Sequence, residues 1–261
     1  MVEDILLYEV ADSVARLTLN RPKAMNALNL AILAELDRRL TEIADDAAIR
    51  VLVLTGAGAA FCAGADLKEV LAGRTLGPGE ADFLDRANIV FGRLRNFPKP
   101  VIAALNGVTM AGGLELAMCA DLVVAAESAT IADAHANFGV YPGAGGAAVL
   151  PRLIPLNMAM YLLLTGKSLS AGEMKACGLV CEVHADEGFA DAVQNLAKHI
   201  AKKSPTAQRR MKEVARTASD KTRDDALLHE QVMMREHMRS FDFNEGLQAF
   251  AEKRAPQFQG R

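Results

Sequence analysis

The 261-residue chain has no tryptophan, three tyrosines and ten phenylalanines, so aromatics make up only 5% of it. Aromatic side chains usually supply the largest payload of a core. A chain that is nonetheless 51% apolar must pack by close backbone approach, and its 20 glycines and abundant alanine supply the means. A basic excess is also missing: 29 Lys and Arg stand against 32 Asp and Glu, a net charge of −3. Nucleic-acid binding rests on surplus cations that neutralise phosphates, so no nucleic-acid partner is expected. The densest basic stretch, Lys202–Lys212, is broken by Ser204-Pro205 and reads as a solvated helix face. Asp121 and Glu127 interrupt the longest apolar run, which falls short of the roughly 20 residues of a membrane span. No membrane association is expected either.

Only four cysteines occur, at 62, 119, 177 and 181, and none has a histidine beside it at zinc-site spacing. Reduced thiols and no metal are the expectation, which suits a cytoplasmic protein. The opening Met1-Val-Glu-Asp4 lacks the charged-then-apolar order of a signal peptide.

What is present alternates between strand and helix patterns. Val14–Asn20 has the period of a half-buried strand, with Ile5–Val10 as its hairpin partner. Asn29 can cap an amphipathic helix whose apolar face carries Ile32, Leu33, Leu36 and Leu40. Val51–Thr55, Val101–Leu105 and Leu122–Ala126 are continuous apolar runs of strand length, as buried parallel strands require. A helix is predicted over Glu80–Phe97. From Asp186 onward the chain reads as helices, about 186–203, 205–218 and 222–239. The Met-rich stretch Val232–Met234 with Met238 reads as core or subunit interface. The class is therefore α/β, divided into a core over 1–195 and a helical region over 196–261.

Two segments place small residues just before a helix: Phe61-Cys-Ala-Gly-Ala-Asp66, and Ala111-Gly-Gly-Leu-Glu115 after Asn106-Gly107. Each exposes backbone N–H groups at the positive end of a helix, with no bulky side chain in the way. Two such groups converging on one point would stabilise a developing oxyanion. Neither is a phosphate loop, and Gly166-Lys167-Ser168 lacks the upstream glycine that one needs.

Together these motifs resemble the crotonase, or enoyl-CoA hydratase/isomerase, superfamily. The likeness runs from Asn20-Arg-Pro-Lys-Ala-Met-Asn-Ala-Leu28 through Phe61–Lys68, Pro100–Gly107, Ala111–Ala117 with Asp121, and Phe138-Gly-Val-Tyr-Pro-Gly-Ala-Gly-Gly146. It continues through Leu164–Gly166 and Ala176–Val180 to Glu245-Gly246 and Phe250–Arg254. The resemblance implies a crotonase-like spiral of ββα repeats with a C-terminal helical trimerisation region, assembled as a homotrimer or a dimer of trimers. It implies an acyl-CoA thioester substrate and no cofactor beyond the coenzyme A that the substrate carries. The oxyanion donors match the N–H groups of Ala65 and Gly112, with Ala63, Leu67 and Gly113 beside them. Lys23 and Lys68 match positions bordering the CoA moiety, Phe250 and Lys253 match the C-terminal helix that touches its nucleotide end, and Asp66, Asp133, Tyr141, Pro142 and Gly143 are further substrate-binding candidates. The segment Gly73–Gly79 and the helix after it are expected to line the acyl pocket, since connecting loops carry specificity.

Hydratases of the family hold a water between two glutamates. Glu115 occupies the first position; at the second this chain has His135, with Asp133 two residues before it. If 131–135 is extended, those two side chains share a face. An imidazole titrating near neutral pH could position water or relay a proton. The leading expectation is hydration of a 2-enoyl-CoA through Glu115. Other enolate chemistry through His135, such as thioester hydrolysis or C–C cleavage, and non-catalytic acyl-CoA binding are the alternatives.

Overall fold

Strands are dealt into two sheets, and the computed structural model, which describes residues 4–72 and 82–261, shows how. Leu6–Ala11 (β1) and Val14–Leu19 (β2) form an antiparallel hairpin with Leu6 opposite Leu19. Its two turn residues, Asp12 and Ser13, both have positive φ, as the hairpin turn matching strand twist demands. Val51–Gly56 (β3), Val101–Leu105 (β5), Leu122–Ala126 (β7) and Glu182–His184 (β10) extend this sheet in parallel, in the order β1-β2-β3-β5-β7-β10. Ala60–Cys62 (β4), Val108–Met110 (β6), Thr130–Ala132 (β8) and Leu169–Ser170 (β9) make the second, in the order β4-β6-β8-β9. From β3 to β8 each pass of the chain thus lays one strand in each sheet, which is the expected spiral.

Glycine makes the sharp crossings between sheets possible. A Cβ on Gly107 would lie 2.1 Å from the Ala59 carbonyl oxygen, and one on Gly113 would lie 2.0 Å from that of Cys62. Both are backbone atoms, so no side-chain rotation relieves the contact.

Leu30–Asp45 (α1) is capped by the Asn29 side chain, which accepts from Ile32 N, and buries Ile32, Leu33, Leu36, Leu40 and Ile43. It packs against Phe83–Arg95 (α3), which begins at an Asp82/Asp85 capping box. Between them lies Leu67–Ala72 (α2); Glu80 and Ala81 of the expected helix fall outside the described residues. Gly112–Ala117 (α4) follows β6. Leu150–Leu153 (α5), Leu156–Thr165 (α6) and Ala171–Ala176 (α7) lead to Phe189–Ala201 (α8). Phe189, Val193, Ala197 and Ala201 of α8 cover Val14, Val51, Val53, Ile102 and Val124 on one face of the larger sheet. The expected division at 195/196 therefore falls inside a helix that packs as part of the core.

Pro205–Ala218 (α9), Arg223–His237 (α10) and Phe241–Ala251 (α11) complete the chain. The basic stretch is not wholly a solvated face. Lys212 Nζ lies 2.7 Å and Arg216 Nη2 2.8 Å from the Asp121 carboxylate, pinning α9 to the sheet. The methionine stretch on α10 is not core either: Met234 is 47% and Met238 50% exposed. No described helix is long and apolar enough to cross a membrane, and all four cysteines are free thiols.

Candidate active site

The two segments that place small residues before a helix meet at one cavity of about 290 Å³, lined by Ala65, Gly112, Glu115 and His135. Leu28 fixes the first. Its N–H donates to Gly64 O and its carbonyl accepts from Asp66 N, both at 2.7 Å. Backbone groups alternate along an extended segment, so the Ala65 N–H between these two bonds turns to the other side. The Asn20–Leu28 motif explains how Leu28 gets there. Asn26 is fully buried, accepts from Arg21 N and donates to the carbonyls of Ala57 and Ala60. Arg21 reaches Ala27 O at 2.7 Å and Asp66 at 3.0 Å.

The second donor starts α4. Ala111, its N-cap, holds φ 49° and ψ −121°, a conformation that costs a non-glycine residue about 1–3 kcal/mol. Its N–H donates to Ala132 O at 3.1 Å, which keeps the turn in place. Gly112 N follows with no partner within the helix. A Cβ built on Gly112 would stand 3.4 Å from Ala65 N, so the two residues sit side by side on the cavity wall.

Glu115, one turn further on, is buried, and its Oε1 accepts from Ala144 N at 2.8 Å and Gly146 N at 2.9 Å. Two backbone donors hold the carboxylate in place while the residue lines the cavity. His135 lies across from it. The segment 131–135 is not extended: Ala134 is left-handed with φ 58° and His135 opens a 3-10 turn, His135–Phe138. That turn still brings His135 Nδ1 to 2.9 Å from Asp133 Oδ1. Asp133 is buried, and its Oδ2 has no partner among the described residues. Burial works against charging the imidazole, yet the Asp133 hydrogen bond and the charges of Asp133 and Glu115 outweigh it and raise the His135 pKa.

Of the other candidate residues, Ala63, Leu67, Tyr141 and Gly143 also line the cavity. Gly113 lies behind it, where it permits the approach of Cys62. Asp133 reaches the cavity only through His135. Asp66 is paired to Arg21, whose hydrogen bond lowers its pKa, and it accepts from Lys68 N. Pro142 is not among the lining residues. Lys23 and Lys68 are exposed, as are Phe250 and Lys253 at the end of α11, and none of the four lines the cavity. The Gly73–Gly79 segment lies outside the described residues, but the helix after it, α3, contributes Phe83, Leu84, Ala87 and Phe91 to an apolar wall. Leu28 and Met110 are further lining residues that were not singled out. Leu28 sits inside a quoted motif; Met110 carries no local signal. Among the described residues no three His, Cys, Asp or Glu side chains cluster as a metal site would need.

An enoyl-CoA hydratase/isomerase family model matches residues 9–261. The 1,2-epoxyphenylacetyl-CoA isomerase of Escherichia coli (strain K12) is 39% identical over 99% of both chains. The 2,3-dehydroadipyl-CoA hydratase of the same strain is 37% identical over 98% of this chain and 99% of its own. In three dimensions the crystal structure of an enoyl-CoA hydratase from Bacillus anthracis matches with a TM-score of 0.93 at 36% identity, covering 99% of this chain and 100% of that one.

Proposed function

This chain belongs to the enoyl-CoA hydratase/isomerase family, and from that premise we propose that it adds water across the double bond of a 2-enoyl-CoA. The N–H groups of Ala65 and Gly112 receive the thioester oxygen as it takes on enolate charge. Such preorganised donors are often the largest catalytic contribution. Glu115, its Oε1 tied to Ala144 and Gly146, takes a proton from the attacking water. His135, whose pKa the Asp133 hydrogen bond raises against the effect of burial, returns a proton to C2. A general acid and a general base then act from one cavity, each contributing typically about 10²–10⁴-fold. The substrate is an acyl-CoA thioester, no cofactor beyond its own coenzyme A is needed, and the protein works in the cytoplasm as a homotrimer or dimer of trimers.

The observation that carries this reading is the placement of Glu115 and His135 on the same 290 Å³ cavity as the two N–H groups. The test follows loss of enoyl absorbance from crotonyl-CoA. Glu115→Gln, whose amide oxygen can still accept from Ala144 N and Gly146 N, should lower kcat by about 10²–10⁴-fold while the fold persists. Undiminished turnover in that variant defeats the assignment.

A second reading is a proton-transfer isomerisation through the same enolate. The relative named 1,2-epoxyphenylacetyl-CoA isomerase favours it. Products formed in ¹⁸O-water separate the two, since hydration incorporates the label and isomerisation does not.

A further inference from the structure

The loop that holds Glu115 is itself gripped from its far side. Peptide groups 143–144 and 145–146 donate their N–H groups to Glu115 Oε1, at 2.8 Å from Ala144 N and 2.9 Å from Gly146 N. The peptide between them, 144–145, points its carbonyl the other way. That carbonyl, Ala144 O, accepts from Arg95 Nη1 at 3.1 Å. Arg95 comes from the last turn of α3 and does not line the acyl cavity. It lines a separate groove of about 760 Å³ beneath α5 and α9, so the loop is a wall with Glu115 on one side and a guanidinium on the other.

The same nitrogen lies 3.7 Å from Cys119 Sγ, and that thiol donates to the Glu115 carbonyl oxygen at 3.2 Å. Arg95 is therefore joined to Glu115 by two short routes, one to its carboxylate and one to its backbone. A charge-assisted bond to a carbonyl is stronger than a neutral one. Gly145 in the middle of the loop has φ +141° and would not hold its shape by side-chain packing.

We infer that Arg95 is a positioning residue for Glu115: by holding the Ala144 carbonyl it keeps the two flanking N–H groups aimed at the carboxylate. This rests on the reading of Glu115 as the group that activates water. Arg95 does not line the acyl cavity, so its effect should fall on kcat and leave KM little changed. A shift of the order of 1 Å in a reacting group can cost about 10²-fold, so Arg95→Ala should lose about 10- to 100-fold in kcat on crotonyl-CoA.

The experiment is a double-mutant cycle on the full chain with Arg95→Ala, Glu115→Gln and the pair. If Arg95 acts through Glu115, it costs kcat in the native background and nothing further beside Glu115→Gln. An equal fold-loss in both backgrounds, or native kcat in Arg95→Ala, overturns the inference. Because Arg95 lines an open groove, added guanidinium chloride at low millimolar concentration should restore part of the kcat of Arg95→Ala and leave Glu115→Gln unchanged. Absence of rescue together with additive losses points to a general structural role. If Arg95→Ala does not fold, Arg95→Met, which keeps the apolar stem, goes through the same cycle. Amide exchange at Ala144 and Gly146 gives a readout free of substrate: faster exchange in the Arg95 variant upholds the grip on the loop, and unchanged exchange refutes it. Native turnover in Glu115→Gln sinks the hydratase reading itself, and the exchange result then still decides whether Arg95 holds the loop.

Discussion

Adjacent glycines at the start of α4 should fail in opposite ways when each is given a methyl group. A Cβ on Gly112 meets Ala65 N at 3.4 Å and Gly64 Cα at 3.5 Å, which is ordinary van der Waals contact, and Gly112 does not need a positive φ. Replacing such a glycine by alanine where the backbone permits it stabilises by about 0.4–1 kcal/mol, through the unfolded chain. In the proposed mechanism the same methyl, 3.4 Å from Ala65 N, crowds the place where a thioester oxygen must come within roughly 2.7–3.1 Å of each donor nitrogen. Blocking one donor costs about 10²–10³-fold in kcat, or roughly 3–4 kcal/mol of transition-state stabilisation. Gly112→Ala is thus expected to keep or slightly raise Tm and lose most of its turnover. At Gly113 the Cβ would lie 2.0 Å from Cys62 O and 2.8 Å from Cys62 C. The backbone must move, and overpacking of this kind costs about 1–3 kcal/mol or more. For a chain of this size that lowers Tm by roughly 2–4 °C per kcal/mol. Saturation kinetics on crotonyl-CoA and thermal unfolding of both variants decide the matter. Equal loss of Tm in the two, or native kcat in Gly112→Ala, would refute the reasoning.

Protonated His135 is the proposed proton donor, and its pKa is raised. A pH profile of kcat should therefore hold to a higher pH than an ordinary imidazole of about 6.5 allows and fall as pH climbs through the raised value. His135→Asn should abolish that limb. The same shift gives a stability effect of definite sign: a raised folded pKa stabilises fully below the unfolded value of about 6.5 and loses that contribution as pH rises through the folded one. Chemical denaturation of the native chain and of His135→Asn across this window measures the difference, and parallel curves would show that no such linkage exists. The third expectation concerns assembly. No residue of helix α10 is fully buried within its own chain, and the helix with its C-cap exposes Leu227, Leu228, Val232, Met234 and Met238, each at 44–60%. Light scattering after gel filtration should return a multiple of three of the 27.9 kDa chain, and a single-chain mass would exclude the trimer.

How much of the structure is legible in the sequence depends on how far each feature reaches along the chain. Strands β2, β3, β5 and β7 and the Asn29 cap of α1 follow from periodicity and a few neighbouring residues, so they were legible. So were the segments around Ala65 and Gly112, because a run of small residues before a helix already implies accessible N–H groups. The pairing of His135 with Asp133 was anticipated by the wrong route. Period-2 spacing suggested an extended strand, whereas a left-handed Ala134 and a 3-10 turn make the contact. Single-residue backbone choices of this kind leave no mark on a polarity pattern.

The small apolar composition, by itself, determined that backbones approach closely and that donors could be left uncovered. Which glycine serves which purpose was decided only in three dimensions. Gly113 abuts the Cys62 carbonyl and Gly112 has room for a methyl group, although the two are neighbours in one Gly-Gly pair. The tertiary structure likewise decided that Lys212 leaves the solvated face for Asp121, 91 positions earlier in sequence numbering. It also decided that Arg95 meets a carbonyl 49 residues away. Local sequence encodes what a residue can do within a turn or two. Partners that far apart are chosen by how the sheets stack, and stacking is a property of the whole chain.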